Sequence, residues 1–312
     1  MKKRKLFTLI LAACMSALTM TGCAATEELD MGPAGDYIGV IEVHGEIGPS
    51  DSSSGLFDTT SVGYDHDAAL EFVDEMMADE NNKAILLSLD TPGGAVYESD
   101  EMYLKLMEYK EETGRPIYAY MHSVAASGGY YIAAAADEIY ANRNTTTGSI
   151  GVIMAGYEMS ELFEKVGIKE IAIASGPNKA MGSTGTPMTE EQIAIYQSIV
   201  DEAYDTFVEI VALGRDMDEA KVREIADGRI YSAKQALELD LIDGIDLYEK
   251  YKDKILEGFD GEVEFYMPEE PEEDFMSMLL GEIKTLIPKS DAQLMREFCE
   301  SNKMVPMYYY GN

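Results

Sequence analysis

Histidine, the usual proton acceptor beside a nucleophilic side chain, is scarce in this chain. His44, His66 and His122 are the only three, and none follows residue 122. Cysteine is equally sparse. Cys14 and Cys23 fall in an N-terminal leader and Cys299 stands alone, which excludes an internal disulfide or a cysteine metal site in the mature chain. Tryptophan is absent and decides nothing. Basic charge is short: 24 Lys and Arg face 58 Asp and Glu, a net charge of −34. Removing the four basic residues at positions 2–5 with the leader deepens this to −38. Nucleic acid is therefore excluded as a partner, because affinity for it comes from neutralising phosphates. Anionic lipid headgroups would also repel such a surface.

The leader accounts for how the chain could nevertheless sit at a membrane. Lys2, Lys3, Arg4 and Lys5 precede a mostly apolar stretch, Leu6 to Leu18, and Met20-Thr21-Gly22-Cys23 closes it. This is the layout of a secretory signal, and the cysteine after Gly22 resembles a lipobox. That resemblance implies cleavage before Cys23, its acylation, and a lipid-anchored protein on the outer face of a bacterial cell membrane. The alternative is an uncleaved anchor, for which the apolar run is short of the ~20 residues a span needs.

Residues 24–35 read as a tether. From there strand and helix signals alternate. Tyr37 to Glu46, Ala84 to Leu89, Pro116 to Met121, Glu138 to Ala141 and Glu170 to Ala174 read as strands. Asp65 to Met77, Glu98 to Glu112 and a segment from Ser127 read as helices. Thr91-Pro92-Gly93-Gly94 reads as the break that ends the second strand. Thr189 with Gln192 predicts a capping box at the head of a helix reaching Leu213. Shorter helices are predicted at Asp218 to Ala226 and Ser232 to Leu239. The alternation predicts an α/β fold of βαβ units with a mainly parallel sheet over residues 36–265. Residues 266–312 read as an acidic, proline-punctuated linker and a tail with apolar helical patches at 276–287 and 292–299. The tail ends in the strand-prone Met304-Val305-Pro306-Met307-Tyr308-Tyr309-Tyr310.

The chemistry concentrates in Ser123-Val124-Ala125-Ala126-Ser127-Gly128-Gly129-Tyr130-Tyr131. A serine among small residues, at a strand-to-helix turn, is a candidate nucleophile. With no histidine downstream, attention passes to lysine. Lys179, in Gly176-Pro177-Asn178-Lys179, is the candidate base, since a lysine amine accepts a proton once desolvation keeps it neutral. Ser149, in Thr147-Gly148-Ser149-Ile150-Gly151, is placed to orient that amine. Gly93 or Gly94, with Gly128, are candidate oxyanion donors; losing one such donor costs about 10²–10³ in rate. Each motif alone also fits an ordinary turn or surface residue.

Taken in order, Thr91-Pro92-Gly93-Gly94, Ala126-Ser127-Gly128-Gly129, Thr147-Gly148-Ser149-Ile150-Gly151-Val152, Lys179 and Thr189-Glu190-Glu191-Gln192 resemble the signal peptide peptidase A family. So does Asp227-Gly228-Arg229-Ile230-Tyr231-Ser232. The resemblance runs from about Tyr37 to Leu247. It implies a ClpP/crotonase-like fold of stacked ββα units and a Ser127–Lys179 dyad steadied by Ser149, with no metal or cofactor. It further implies cleavage of extended peptides such as spent signal peptides, and a homo-oligomeric ring in which neighbours complete the substrate groove. A ClpP-type peptidase would instead carry a histidine near position 152, which is Val152. Two departures stand out: Pro177 precedes the lysine in place of a residue with an N–H, and Asp240-Leu241 replaces a usual Gly-Leu. Two other readings stay open, a catalytically silent peptide-binding lipoprotein and a crotonase-like acyl-CoA enzyme. Export argues against the second. The tail invites a further expectation, that it occupies the groove of its own or a neighbouring subunit.

Overall fold

A computed structural model describes residues 33–50, 64–268 and 306–309. Cys23 and the leader, most of the tether, the acidic linker and both predicted tail helices lie outside them. Three long parallel strands form the centre: β1 (Asp36–Ile47), β2 (Asn82–Ala95) and β3 (Ile117–Ala126). Helices α1 (His66–Ala78) and α2 (Val96–Thr113) make the crossovers, and α3 (Gly128–Ala133) follows β3 directly. The strands read as near-continuous apolar runs because both faces are covered. Ile41, Val43, Ile85, Leu87, Leu89, Ala119 and Met121 face α1, α2, α3 and the long α5 (Glu190–Gly214). Ile38, Val40, Ala84, Leu86 and Tyr120 face the other way, onto Tyr251 and Ile255 of α8 (Tyr248–Leu256).

The far edge of β3 is shared. Its first half pairs with β4 (Glu138–Ala141) and its last three residues with β5 (Thr146–Gly148), both parallel. The remaining elements are α4 (Ser160–Val166), α5 (Glu190–Gly214), α6 (Glu219–Ile225), β6 (Ile230–Ser232), α7 (Ala233–Glu238), β7 (Gly244–Ile245), β8 (Val263–Tyr266) and β9 (Met307–Tyr309). Among the described strands, pairing is antiparallel where β6 meets β5 and where β9 meets β2. The mainly parallel α/β arrangement is thus the one expected. The Thr189/Gln192 capping box forms, and Ser232 with Gln235 makes another.

Two expectations fail. Thr91-Pro92-Gly93-Gly94 does not end β2. The strand continues to Ala95 because both of its edges find partners there, β1 at Glu46 and Ile47 and β9 at Met307–Tyr309. Glycine is required rather than disruptive: a Cβ on Gly94 would lie 1.8 Å from the Ile47 carbonyl oxygen. Conversely, Glu170 to Ala174 forms no strand. Ile171 and Ile173 are 83% and 99% exposed, and an extended segment without a neighbour has no ladder to join.

The end of α5 is tied to the sheet by charge. Arg215 grips Asp243 with two hydrogen bonds of 2.8 and 2.9 Å, and Asp243 also accepts the Ile139 N–H at 2.7 Å. Burial alone would push the Asp243 carboxyl up, but the Arg215 and Ile139 donors outweigh it and hold it below its ordinary value. Its stabilisation is therefore present above the unfolded aspartate value of about 4 and is lost as pH falls through the folded one. Asp243→Ala should cost about 2 kcal/mol at pH 7. In thermal melts that gap should narrow below pH 4; an unchanged gap would contradict this assignment.

Candidate active site

Ser127 stands where β3 turns into α3. Its backbone adopts φ 52°, ψ −115°, a left-handed conformation that is costly for a residue with a Cβ. Ser127 N–H donates to the Gly148 carbonyl at 2.8 Å. Small neighbours are needed because other chains crowd in: a Cβ on Gly128 would lie 2.5 Å from Ser99 Oγ, and one on Gly129 2.6 Å from Thr91 Cγ2. The Ser127 side chain is 1% exposed. Its Oγ is the one buried side-chain polar atom among the described residues with no hydrogen-bond partner. A buried hydroxyl left unpaired costs about 1–3 kcal/mol, and such costs are concentrated at functional sites.

Ser149 lies beside it. Ala126 pairs with Gly148, so the residues that follow them, Ser127 and Ser149, leave adjacent strand ends together. Ser149 also has positive φ, 51°, is buried, and donates its N–H to the Arg229 carbonyl. A cleft of about 500 Å³ opens next to Ser149, lined by Val152, Ile153, Tyr204 and Gly228 among others.

The glycine donors are distributed unequally. The Gly93 N–H is taken by Thr91 Oγ1 at 3.0 Å, so Gly94 is the better placed of the two. Residues 93–95 pair with β9, and Val96 N–H donates to the Pro306 carbonyl at 3.4 Å. Hydrogen-bonded pairs recur every second residue in an antiparallel ladder, which sets the Gly94 N–H against the Tyr308 carbonyl. The same carbonyl comes close to Gly128: a Cβ on Gly93 would lie 2.1 Å from Tyr308 O and 2.6 Å from Gly128 N. The tail strand thus runs beside Gly94 and Gly128, with the Tyr308 carbonyl near both. On its other edge Met307 bridges Ile153, with N···O distances of 3.0 and 3.1 Å.

Lys179 is elsewhere. It sits in a turn at residues 176–179 that is fastened to the head of α5 by Gln192 Nε2 on the Pro177 carbonyl. Its side chain is exposed and makes no hydrogen bond or ion pair with any described residue. One chain therefore brings Ser127, Ser149, Gly94 and Gly128 together, and the exposed Lys179 makes no hydrogen bond to Ser127 Oγ. The turn belongs to an arm, residues 154–188, in which Leu162, Val166, Ile168, Ile171 and Ile173 are all at least 47% exposed.

Sequence reasoning assigned no role to Thr91, Asp100, Tyr131 or Phe207. Tyr131 lies four residues after Ser127 on α3, and its place in the quoted motif was the available signal. Asp100 and Phe207 carry no local signature; only the fold puts them against Tyr131.

Residues 109–259 match the family described as peptidase family S49. The chain is 40% identical to an Enterococcus faecium protein provisionally named signal peptide peptidase SppA, over 73% of this chain and 65% of that one. It is 32% identical to the chloroplastic serine protease SPPA of Arabidopsis thaliana, over 67% of this chain and 30% of the relative. It is 30% identical to protease 4 of Haemophilus influenzae, over 67% of this chain and 32% of the relative. The matches thus span less than two thirds of each of these relatives. Among the described residues no helix is long and apolar enough to cross a membrane.

Proposed function

The chain belongs to peptidase family S49, and from that premise we propose that it is a serine endopeptidase acting on extended peptides, spent signal peptides among them. One observation carries the reading: the buried, unpartnered Ser127 Oγ on a left-handed turn, with the Gly94 and Gly128 amides beside it. In the proposed reaction Ser127 Oγ bonds to the substrate carbonyl carbon while its proton passes to Lys179 Nζ. The carbonyl oxygen, now negative, is held by the two amides. Collapse breaks the C–N bond and Lys179 returns the proton to the leaving amine. Water then adds across the acyl-serine ester by the same route and frees Ser127.

The base must reach the serine from outside the chain as it stands alone. We assign Lys179 to the site of a neighbouring copy in a ring. The exposed apolar arm supports this, since contiguous exposed apolar surface marks interaction sites. Docking would also withdraw the amine from water, the condition under which lysine acts as a base. Anchoring through an acylated Cys23 would hold the ring at the bacterial membrane where signal peptides remain.

The tail bears on regulation. β9 lies along β2 as a peptide substrate would in strand addition, with Tyr308 carbonyl at the proposed oxyanion donors. Deleting residues 303–312 should lower KM for casein several-fold with little change in kcat, because a tethered competitor is removed. A synthetic peptide of residues 304–312 should restore inhibition competitively. Unchanged kinetics would mean the strand only packs on the domain.

Wild-type protein should hydrolyse casein, and stoichiometric fluorophosphonate should stop it. Absence of hydrolysis from both the full and the tail-deleted chain would leave the silent peptide binder. Hydrolysis untouched by the probe would remove Ser127 as the nucleophile.

A further inference from the structure

Asp90 and Thr91 are neighbours on β2, and the side chain of each holds the backbone of a different half of the site. The ladder between β2 and β3 breaks at this point. Leu89 pairs with Met121 and Thr91 with Ala125, so Asp90 alone lies opposite residues 122–124 of β3. Extra residues in one strand leave backbone groups unpaired and bend the strand beyond them. Asp90 supplies a missing partner: its Oδ1 accepts the Val124 N–H at 3.0 Å, three residues ahead of Ser127. Val124 to Ala126 then pair with Thr146 to Gly148 of β5, which carries the bent strand end to Ser127 beside Ser149.

Thr91 points to the opposite face, as successive residues on a strand do, and is 0% exposed. Its Cγ2 fills the space that a Cβ on Gly129 would need. Its Oγ1 accepts the Gly93 N–H at 3.0 Å. Pro92 has no N–H, so the turn at 92–94 owns two donors, and Thr91 takes one of them. Gly93 holds φ 99°, a conformation open in practice to glycine. Anchoring its N–H to Thr91 fixes the plane of the Pro92–Gly93 peptide, and with it the direction of the next donor, the Gly94 N–H.

We propose that Asp90 and Thr91 are positioning residues: they tie the nucleophile on β3 and the oxyanion donor on β2 to one bulge, and so set the gap between Ser127 Oγ and the Gly94 N–H. The proposal deepens the peptidase reading and rests on it for its consequence in catalysis. A geometric role of this kind acts on kcat more than on KM, since a misplacement of about 1 Å costs about 10²-fold in rate.

Thr91→Val keeps the volume and loses the acceptor. Assembled full-length Thr91→Val protein should hydrolyse casein with kcat lowered by about 10²-fold and KM within about twofold of wild type. Its fluorophosphonate labelling at Ser127 should slow in parallel. Thr91→Ser returns the acceptor and should recover most of both rates. Asp90→Ala should slow labelling by about tenfold, and Asp90→Asn, whose amide oxygen still accepts, should recover it. The Asp90 pair keeps the test open if Thr91→Val does not fold. Wild-type rates in Thr91→Val, or a Thr91→Ser protein as slow as Thr91→Val, overturn the assignment of Thr91. An Asp90→Asn protein as slow as Asp90→Ala would make the charge facing His122 the relevant feature and remove Asp90 from the proposal. Labelling separates the two readings. A wild-type protein that labels at Ser127 without cutting casein defeats the peptidase reading alone, and equal labelling of wild type and every variant defeats this proposal alone.

Discussion

Ser127→Ala should lower casein hydrolysis by on the order of 10⁴-fold or more, as removal of a nucleophile does elsewhere, and should not destabilise the protein. The two halves of this result belong together. The Ser127 hydroxyl is buried and has no hydrogen-bond partner among the described residues. Deleting it discards a polar group that folding desolvates without return, which is worth about 1–3 kcal/mol in favour of the variant. Alanine keeps the Cβ, so the strain of the φ 52° turn is unchanged. The melting temperature should therefore stay level or rise while activity collapses. A variant that loses activity together with stability would make Ser127 a packing residue instead.

Lys179→Ala should be as severe for activity, by about 10³-fold or more on the logic of a lost general base, and silent for stability of the single chain. Its side chain is exposed and unpaired with described residues, so nothing in the domain depends on it. The arrangement yields a sharper consequence. If Ser127 draws its base from a neighbour, neither variant alone can build a site, but a mixture can. Rings assembled from equal amounts of Ser127→Ala and Lys179→Ala chains should regain roughly a quarter of wild-type activity, since head-to-tail contacts pair each serine with the next copy's lysine at random. No recovery from confirmed mixed rings would place both groups on one chain.

The nucleophile side of the site was legible because its constraints are local. A serine flanked by Ala126 and Gly128-Gly129 after an apolar strand describes a tight elbow, and the turn is there. Ser149 followed from a similar glycine-flanked pattern, and sheet pairing of Ala126 with Gly148 puts it alongside. Thr91-Pro92-Gly93-Gly94 misled because glycine signals both a break and a close approach. Here it permits the Ile47 and Tyr308 carbonyls to come near, and the strand runs on. Glu170 to Ala174 misled in the opposite sense: alternation reports which side chains favour a strand, not whether a neighbouring strand exists. Lys179 could be named from its motif, but its exposed side chain meets no described residue that would join it to Ser127. The partners of Tyr308 are separated from it by more than 100 residues of sequence, which no local pattern encodes.

The central claim is that Lys179 activates Ser127, and the rate of covalent labelling reads it without needing a substrate. Assembled wild-type protein, treated with a fluorophosphonate and digested for mass spectrometry, should carry the adduct on Ser127. In Lys179→Ala protein of the same assembly state the labelling rate should fall by about 10² or more. Equal labelling of Ser127 in both proteins, or an adduct on a different serine, would contradict the account.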